Sequence, residues 1–419
     1  MHDLAEQLRS VVDNAAAPVP IDAVTAPRTT TATRRNAWLL AVAVLAVVVG
    51  VAALLVSRGG DAPSKVHVTT PGPGLLPPRW SRLPATPLGS RSGHVMAWTG
   101  TQLLVWGGAD EHAVRNDGAA FDVATGTWAP LPPSPLQPSS ASLLGTWTGT
   151  ELLVWDNDAS DATHRTGAAY DPTTHTWRTI APSPLPADQA TSVVAWDGHE
   201  ALLWSASAPT GTAEPVRTFF AGYDPVADRW QMLDPGPLDV NGVAGAWDGH
   251  ELLLTGWLDN HPNGVFPAGG TRPAAAYDPA ARTWRAIAAP VPSLQEPLTV
   301  AWDGHELLTV TYNLDWSSYD PSTDRWAPIA SVPMQAGECG PQSATLGTTV
   351  FLYYCGAAAV FDVTNRVWTP IATPFAPHAP ATPSTGYPPN TPLVAAGSAY
   401  VVYGAGGAAP NADAWSYNP

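Results

Sequence analysis

YDPVADRW, Tyr223 to Trp230, packs an aromatic residue, an aspartate and, six positions after the aspartate, a tryptophan into one phrase. The same spacing returns in FDVATGTW (121–128), YDPTTHTW (170–177), YDPAARTW (277–284), YDPSTDRW (319–326) and FDVTNRVW (361–368). A second phrase opens each unit: AWTGTQLLVW (97–106), TWTGTELLVW (146–155), AWDGHEALLW (195–204), AWDGHELLLT (246–255) and AWDGHELLTV (301–310), with a weaker copy in ATLGTTVFLY (344–353). The unit is about 42–55 residues long, the length of a four-stranded propeller blade.

Each unit reads as four strands. The residues before Thr-Gly or Asp-Gly form the first and the apolar run after it the second, because glycine supplies the positive φ a tight hairpin needs. A loop of variable length follows, then a third strand ending in Tyr-Asp-Pro, and the tryptophan heads a fourth. A seventh unit begins at LVAAGSAYVVYGAGG (393–407) and stops at AWSYNP (414–419), short of its fourth strand. The missing piece stands at the other end of the repeat region, in RWSRLPATPL (79–88). The sequence therefore predicts an all-β fold: a seven-bladed β-propeller over 79–419 whose closing blade is split between the two ends, so that no sheet edge is left open at the seam.

These phrases resemble the kelch and galactose-oxidase-type propellers, through the apolar strands ending in Gly107-Gly108 and Gly406-Gly407 and through the aromatic-Asp-Trp spacing. The middle blades depart from that pattern, with Trp155-Asp156, Trp204-Ser205 and Tyr312-Asn313 in place of the glycine pair. The layout also resembles membrane-anchored propeller proteins of the actinobacterial type.

The composition agrees with short strands and tight turns. Charged residues make up 13% of the 419, against 45 prolines, 36 glycines and 19 tryptophans. A net charge of −16 leaves nothing to neutralise phosphates and argues against a nucleic-acid partner. Ahead of the repeats, Ala37 to Val56 is a twenty-residue run without charge, enough at about 1.5 Å per residue to cross a bilayer core of roughly 30 Å. Arg28, Arg34 and Arg35 precede it, so the positive-inside rule keeps residues 1–36 cytoplasmic and exports the chain beyond the run. The run is too long and too far from the start for a secretory leader, and no A-x-A site comes after it. The expected order is a cytoplasmic tail without a fold of its own (1–36), one transmembrane helix (37–56), a Gly/Pro-rich stalk (57–78) and an extracytoplasmic propeller at the plasma membrane (79–419).

Several residues invite chemistry. The repeated His-Glu of Asp-Gly-His-Glu (His199, His250 and His305) falls once per blade, too far apart to share a metal, and reads as turn. Cys339 and Cys355, the only cysteines, flank two antiparallel strands of blade six in an exported domain, which favours a disulfide. The competing copper-radical site of galactose oxidase would have to draw on Tyr353, Tyr354, Tyr387, His378 and His94, which no motif gathers. DNDASD (156–161), with Asp156 and Asp158, spaces carboxylates as a calcium loop does, but it lacks the glycine and closing glutamate of one and reads as a solvated acidic loop; Asp110-Glu111-His112 is its counterpart in blade one. No H-E-x-x-H, G-x-S-x-G, C-x-x-C or phosphate-loop pattern occurs.

The tryptophans of the closing phrase recur at a fixed blade position and are expected between blades. Trp257, Trp316 and Trp415 fall outside both phrases. Long loops on a rigid frame are where binding resides, and these lie after the second strand of blades one, three and four and before blade seven. The candidate binding residues are therefore Asp110, His112, Asp156, Asp158, Trp257, His261 and Tyr387. With no catalytic constellation and no cofactor motif, the expected role is a binding or scaffold module for a protein or a cell-envelope glycan. The alternatives are a kelch-type carbohydrate-active enzyme (sugar oxidase or epimerase) and a sensor signalling through residues 1–36.

Overall fold

The computed structural model describes residues 79–419 except Glu111, 138–142, 157–165, 187–188, 208–215, Asn241, 258–272, 291–296, 312–313, 335–341, Cys355, 375–392 and 405–412. The predicted transmembrane helix at 37–56 lies outside these residues. Among those described, no helix is long and apolar enough to cross a membrane.

Seven four-stranded antiparallel sheets make up the structure, six of them from consecutive strands. Blades 1 to 6 span 95–130, 143–180, 189–233, 242–286, 297–329 and 342–371. The seventh takes three strands from Leu393–Ala396, Ala399–Tyr403 and Ala414–Tyr417, and its outer strand from Trp80–Arg82. Trp80 pairs with Tyr417 and Arg82 with Trp415, which is the split closure the repeat count requires. First strands of neighbouring blades touch all the way round, and that of blade 7 touches that of blade 1, so the ring is closed.

The closing phrase explains itself in three dimensions. Its aromatic and its tryptophan face each other across the third and fourth strands: Tyr223 with Trp230, Tyr277 with Trp284, Tyr319 with Trp326. Ring centroids lie 5.0–5.3 Å apart in these pairs, the spacing at which tilted aromatic rings attract. The split blade builds the same pair from the two ends of the repeat region, Trp80 and Tyr417 at 5.2 Å. The aspartate between them caps the turn. Asp224 Oδ1 accepts the backbone N–H of Val226 and Ala227, and Asp278 those of Ala280 and Ala281. The residue two before the tryptophan carries positive φ in six blades, as Gly126, His175, Asp228, Arg282, Asp324 and Arg366.

Each tryptophan then reaches back one blade. Its indole N–H donates to a main-chain carbonyl beyond the preceding fourth strand: Trp128 to Pro84, Trp177 to Pro132, Trp230 to Ala181, Trp284 to Asp234 and Trp326 to Ala288, at 2.7–3.1 Å. Trp80 donates to Ala372 at 2.8 Å and joins blade 7 to blade 6. Gly236 is required here, because a Cβ at that position would lie 2.5 Å from the Trp284 ring. Trp368 is the exception: its indole nitrogen is buried without a partner and its ring packs on Trp316 at 4.5 Å.

Trp80 is buried and holds both the aromatic pair and the link to blade 6. Trp80→Ala is expected to cost about 3–5 kcal/mol, read from the urea midpoint and m-value. An unchanged midpoint would mean that the N-terminal strand is not part of the ring.

Candidate functional site

Strand direction gives the ring two faces. The first-to-second and third-to-fourth turns lie on one, the turn face, and the second-to-third and fourth-to-first connections on the other, the loop face.

The His-Glu pair sits on the turn face. In blades 3, 4 and 5 the aspartate before it folds the turn by accepting the backbone N–H of both the histidine and the glutamate at 2.6–2.8 Å. Gly198, Gly249 and Gly304 hold φ near 100°. The three histidines are exposed, so the turn reading holds for them. The glutamates do more, because each meets an arginine, in two cases across a blade boundary. Arg178 grips Glu151 with two nitrogens and also donates to the Pro225 carbonyl of blade 3. Arg282 of blade 4 meets Glu200 of blade 3 at 3.2 Å, and Arg366 of blade 6 meets Glu306 of blade 5 at 2.6 Å. Glu251 pairs with Arg285 inside blade 4. Such part-exposed pairs contribute little stability singly; their effect is to fix neighbouring blades in register.

On the loop face the described residues of blade 1 form an ordered hub. Arg91 is buried and donates to the Gly107 and Asp117 carbonyls and to the Asp117 carboxylate. Burial raises the Asp117 pKa, but the hydrogen bond and charge of Arg91 outweigh it and leave the carboxyl below its ordinary value. Asp110 caps its own loop through the backbone N–H of His112 and Ala113 and pairs with Arg115. Arg115's hydrogen bond, then those two backbone donors, hold Asp110 well below the usual carboxylate range. His112 is exposed beside it.

His94 lies beneath this hub. Its imidazole packs edge-on against Tyr403 of blade 7, centroids 4.9 Å apart, and neither ring nitrogen has a hydrogen-bond partner. A Cβ on Gly108 would stand 3.0 Å from that of His94 and 2.5 Å from the Ser92 carbonyl oxygen, so only glycine fits above it. Burial, and then the charge of Arg91, depress the imidazole pKa to about 3. Arg91 and His94 were not among the sequence candidates. Their one visible signal is that RSGH precedes the first strand of blade 1 alone.

Of the sequence candidates, the structure brings Asp110 and His112 together in one loop. Asp156 is placed differently from the acidic-loop reading. It ends the second strand of blade 2, opposite Leu143, and is buried, because its N–H donates to the Thr166 carbonyl and draws it into the sheet. Trp257 likewise ends a strand, paired with Gly242, rather than opening a loop. Asp158, His261, Tyr387, Cys339 and Cys355 lie outside the described residues. The strands bordering the cysteines are in register, with Gln342 opposite Tyr353. Tyr353 and Tyr354 point into different clusters, one between blades 6 and 7 and the other between blades 5 and 6, and His94 sits at the boundary of blades 7 and 1, so these three do not converge. Trp316 and Trp415 are core residues.

Two cavities open on the turn face. One, of about 520 Å³ at blades 5 and 6, is lined by Asp248, Asp303, His305, Glu306, Asp320 and Arg366 among others. The second, of about 530 Å³ between blades 7 and 1, is mainly apolar. Among the described residues no group of three or more His, Cys, Asp or Glu side chains is placed to share a metal ion. No protein-family model matches the chain, and no curated protein matches it significantly.

His94 makes stability depend on pH. An imidazole whose folded pKa lies near 3 stays neutral where the unfolded one, near 6.5, takes up a proton. Its contribution is complete above about pH 6.5 and is lost as pH falls toward 3, at about 1.4 kcal/mol per pH unit. His94→Leu should therefore flatten the stability profile between pH 6.5 and 5 by about 2 kcal/mol relative to wild type. Parallel profiles from urea titrations at the two pH values would contradict the burial of a neutral imidazole.

Proposed function

We propose that this chain is a membrane-anchored, extracytoplasmic binding module whose propeller presents a protein- or glycan-binding surface on its loop face. The observation that carries the reading is the unequal treatment of the two faces. On the turn face the connections are short in every blade, a glutamate recurs in blades 2 to 5, and arginines tie blade 3 to blade 4 and blade 5 to blade 6. The loop face instead varies: blade 5 needs only 312–315 between its second and third strands, whereas blade 4 uses 258–273. Blade 1 adds the Arg91–Asp117 and Asp110–Arg115 pairs, which pre-order its loop and lower the cost of ordering it on binding. A rigid ring with one variable face suits recognition.

Residues 37–56 supply the anchor in this reading, and Cys339–Cys355 the disulfide of an exported domain. The disulfide is checked by intact mass: a gain of about 2 Da on reduction is expected, and an unchanged mass removes it.

The binding reading is tested with full-length protein against purified envelope polysaccharides and envelope proteins. Saturable binding is expected, and it should drop at least tenfold when 258–272 is replaced by a Gly-Ser linker of equal length while the thermal midpoint holds. Binding that survives this replacement, together with that of 375–392, would move the surface off the loop face. Turnover of a sugar with release of peroxide would replace the binding module by an oxidase.

A further inference from the structure

The apolar cavity between blades 7 and 1 has a chemistry that its counterpart lacks. At blades 5 and 6 the same part of the turn face carries Glu306 and Arg366 in contact, with Asp303 and Asp320 beside them. Strand register identifies the matching positions. Ala201 faces Tyr223 across blade 3, and Tyr400 faces Tyr417 across blade 7, so the residue before each occupies the glutamate position: Glu200 in one, Ala399 in the other. The arginine position, two before the tryptophan, is Arg282 or Arg366 in blades 4 and 6 but Gly126 in blade 1. The charged pair of blades 5 and 6 is thus replaced by alanine and glycine at this boundary, and the cavity is walled by Trp98, Leu103, Phe121, Val123 and Val401. Val123 stands 56% exposed at its rim, an uncovered apolar group where the other boundary is polar.

This is also the boundary where the chain enters the ring. The outer strand of blade 7 runs from the turn face, since Trp80 pairs with Tyr417 and Tyr417 with Tyr400, next to the turn at 396–399. The Arg79 carbonyl accepts the N–H of Asn418 at 3.0 Å, and Asn418 lines the cavity. Arg79 holds φ at 76°, a left-handed conformation uncommon away from glycine, which turns the incoming chain sharply at the rim. The residues just before it are Gly74-Leu75-Leu76-Pro77-Pro78. In the 57–78 stalk, whose other apolar side chains are Ala62, Val66, Val68 and prolines, Leu75 and Leu76 are the adjacent large apolar pair. Three residues of extended chain reach roughly 10 Å, which brings Leu76 from Arg79 to the cavity, and the two prolines favour an extended path.

From these observations we infer that Leu75 and Leu76 dock in the cavity between blades 7 and 1, making the end of the stalk an eighth contact of the ring. The occupant is apolar because the walls are, and intramolecular because it is tethered beside the mouth, where its effective concentration exceeds that of any free competitor. The docked segment covers Val123 and clamps the split blade from outside, at a boundary where alanine and glycine stand in place of a Glu–Arg pair. This assignment does not depend on what the loop face binds.

The experiment uses the full-length chain with benzoylphenylalanine in place of Ser398, at the rim, irradiated and digested for peptide mapping. Cross-links from position 398 to the peptide containing Leu75 and Leu76 are expected, all within one chain. They should fall at least tenfold in the Leu75→Ser/Leu76→Ser variant, and hydrogen exchange of residues 96–103 and 396–400 should rise there with the thermal transition still cooperative. Cross-links that join two copies, or that go to another protein, would overturn the assignment in favour of those occupants. So would the absence of cross-links to the stalk with exchange unchanged by the leucine substitutions. Loss of glycan or protein binding by the loop face leaves these readouts where they are, so the two readings fail separately.

Discussion

The rest of the structure hangs on the indole N–H of the fourth-strand tryptophan. A blade by itself buries one face poorly, and its outer strand has an open edge. The tryptophan addresses both at once, since its ring covers the aromatic of its own third strand while its N–H ties to a carbonyl of the blade before it. Each bond contributes about 1 kcal/mol net, which would be negligible alone. Because six of the seven boundaries carry it, every blade is tied to at least one neighbour, and all but blades 5 and 6 are tied on both sides. Trp368 shows the alternative solution. Its N–H has no acceptor, and its ring is buried in tilted contact with Trp316, so the boundary of blades 5 and 6 rests on ring packing, with the Glu306–Arg366 pair outside it.

This dependence explains why the architecture can be read from the sequence. A constraint imposed at each blade leaves a periodic trace, and aromatic-Asp-Trp is the trace of one stack, one Asx turn and one return bond. The split blade was legible for the same reason: a seventh aromatic in AWSY, without its tryptophan, required a partner elsewhere, and RWSR supplied it. Partners chosen outside the repeat left no such trace. Glu151 takes an arginine of its own blade 27 residues on, whereas Glu200 reaches Arg282 in the next blade, 82 residues on. Those two spacings follow no common rule in the linear order. Asp156 looked like the first of an acidic series because Asp158 and Asp161 come after it, but a strand ends where its last hydrogen bond is made, and that bond, to Thr166, is long-range. His94 and Arg91 were missed because burial, which gives them their character, comes from Gly108 and Tyr403, residues far from them in type and, for Tyr403, in sequence.

The loop face is harder for a related reason. What binds must differ from blade to blade, so it cannot repeat, and period was the strongest evidence available. Blade 1 shows how such a loop is held nonetheless. Arg91 donates to three carbonyls and a carboxylate while Asp110 folds the tip, so the loop is ordered by polar contacts that leave His112 presented on its surface. The neutral state of His94 below this hub comes first from its burial, which disfavours the charged imidazole, and then from the Arg91 guanidinium above it, which would repel a second buried cation.

The two ends of the ring region meet at one boundary, and there Ala399 and Gly126 stand where blades 5 and 6 hold the Glu306–Arg366 pair. In a closed ring the seam is the one place where the sheet is not covalently continuous from third to fourth strand, so it gains most from a contact made outside the sheet. A Glu–Arg pair there would contribute little, as exposed pairs do, and it would not hold the incoming chain. On the proposed docking, the small residues that open an apolar recess here let the incoming chain close the boundary, and burial of two leucines would stabilise it more than an exposed ion pair. On this view Ala399 and Gly126 are not lapses in the repeat. They are the positions at which the repeat leaves room for the incoming chain.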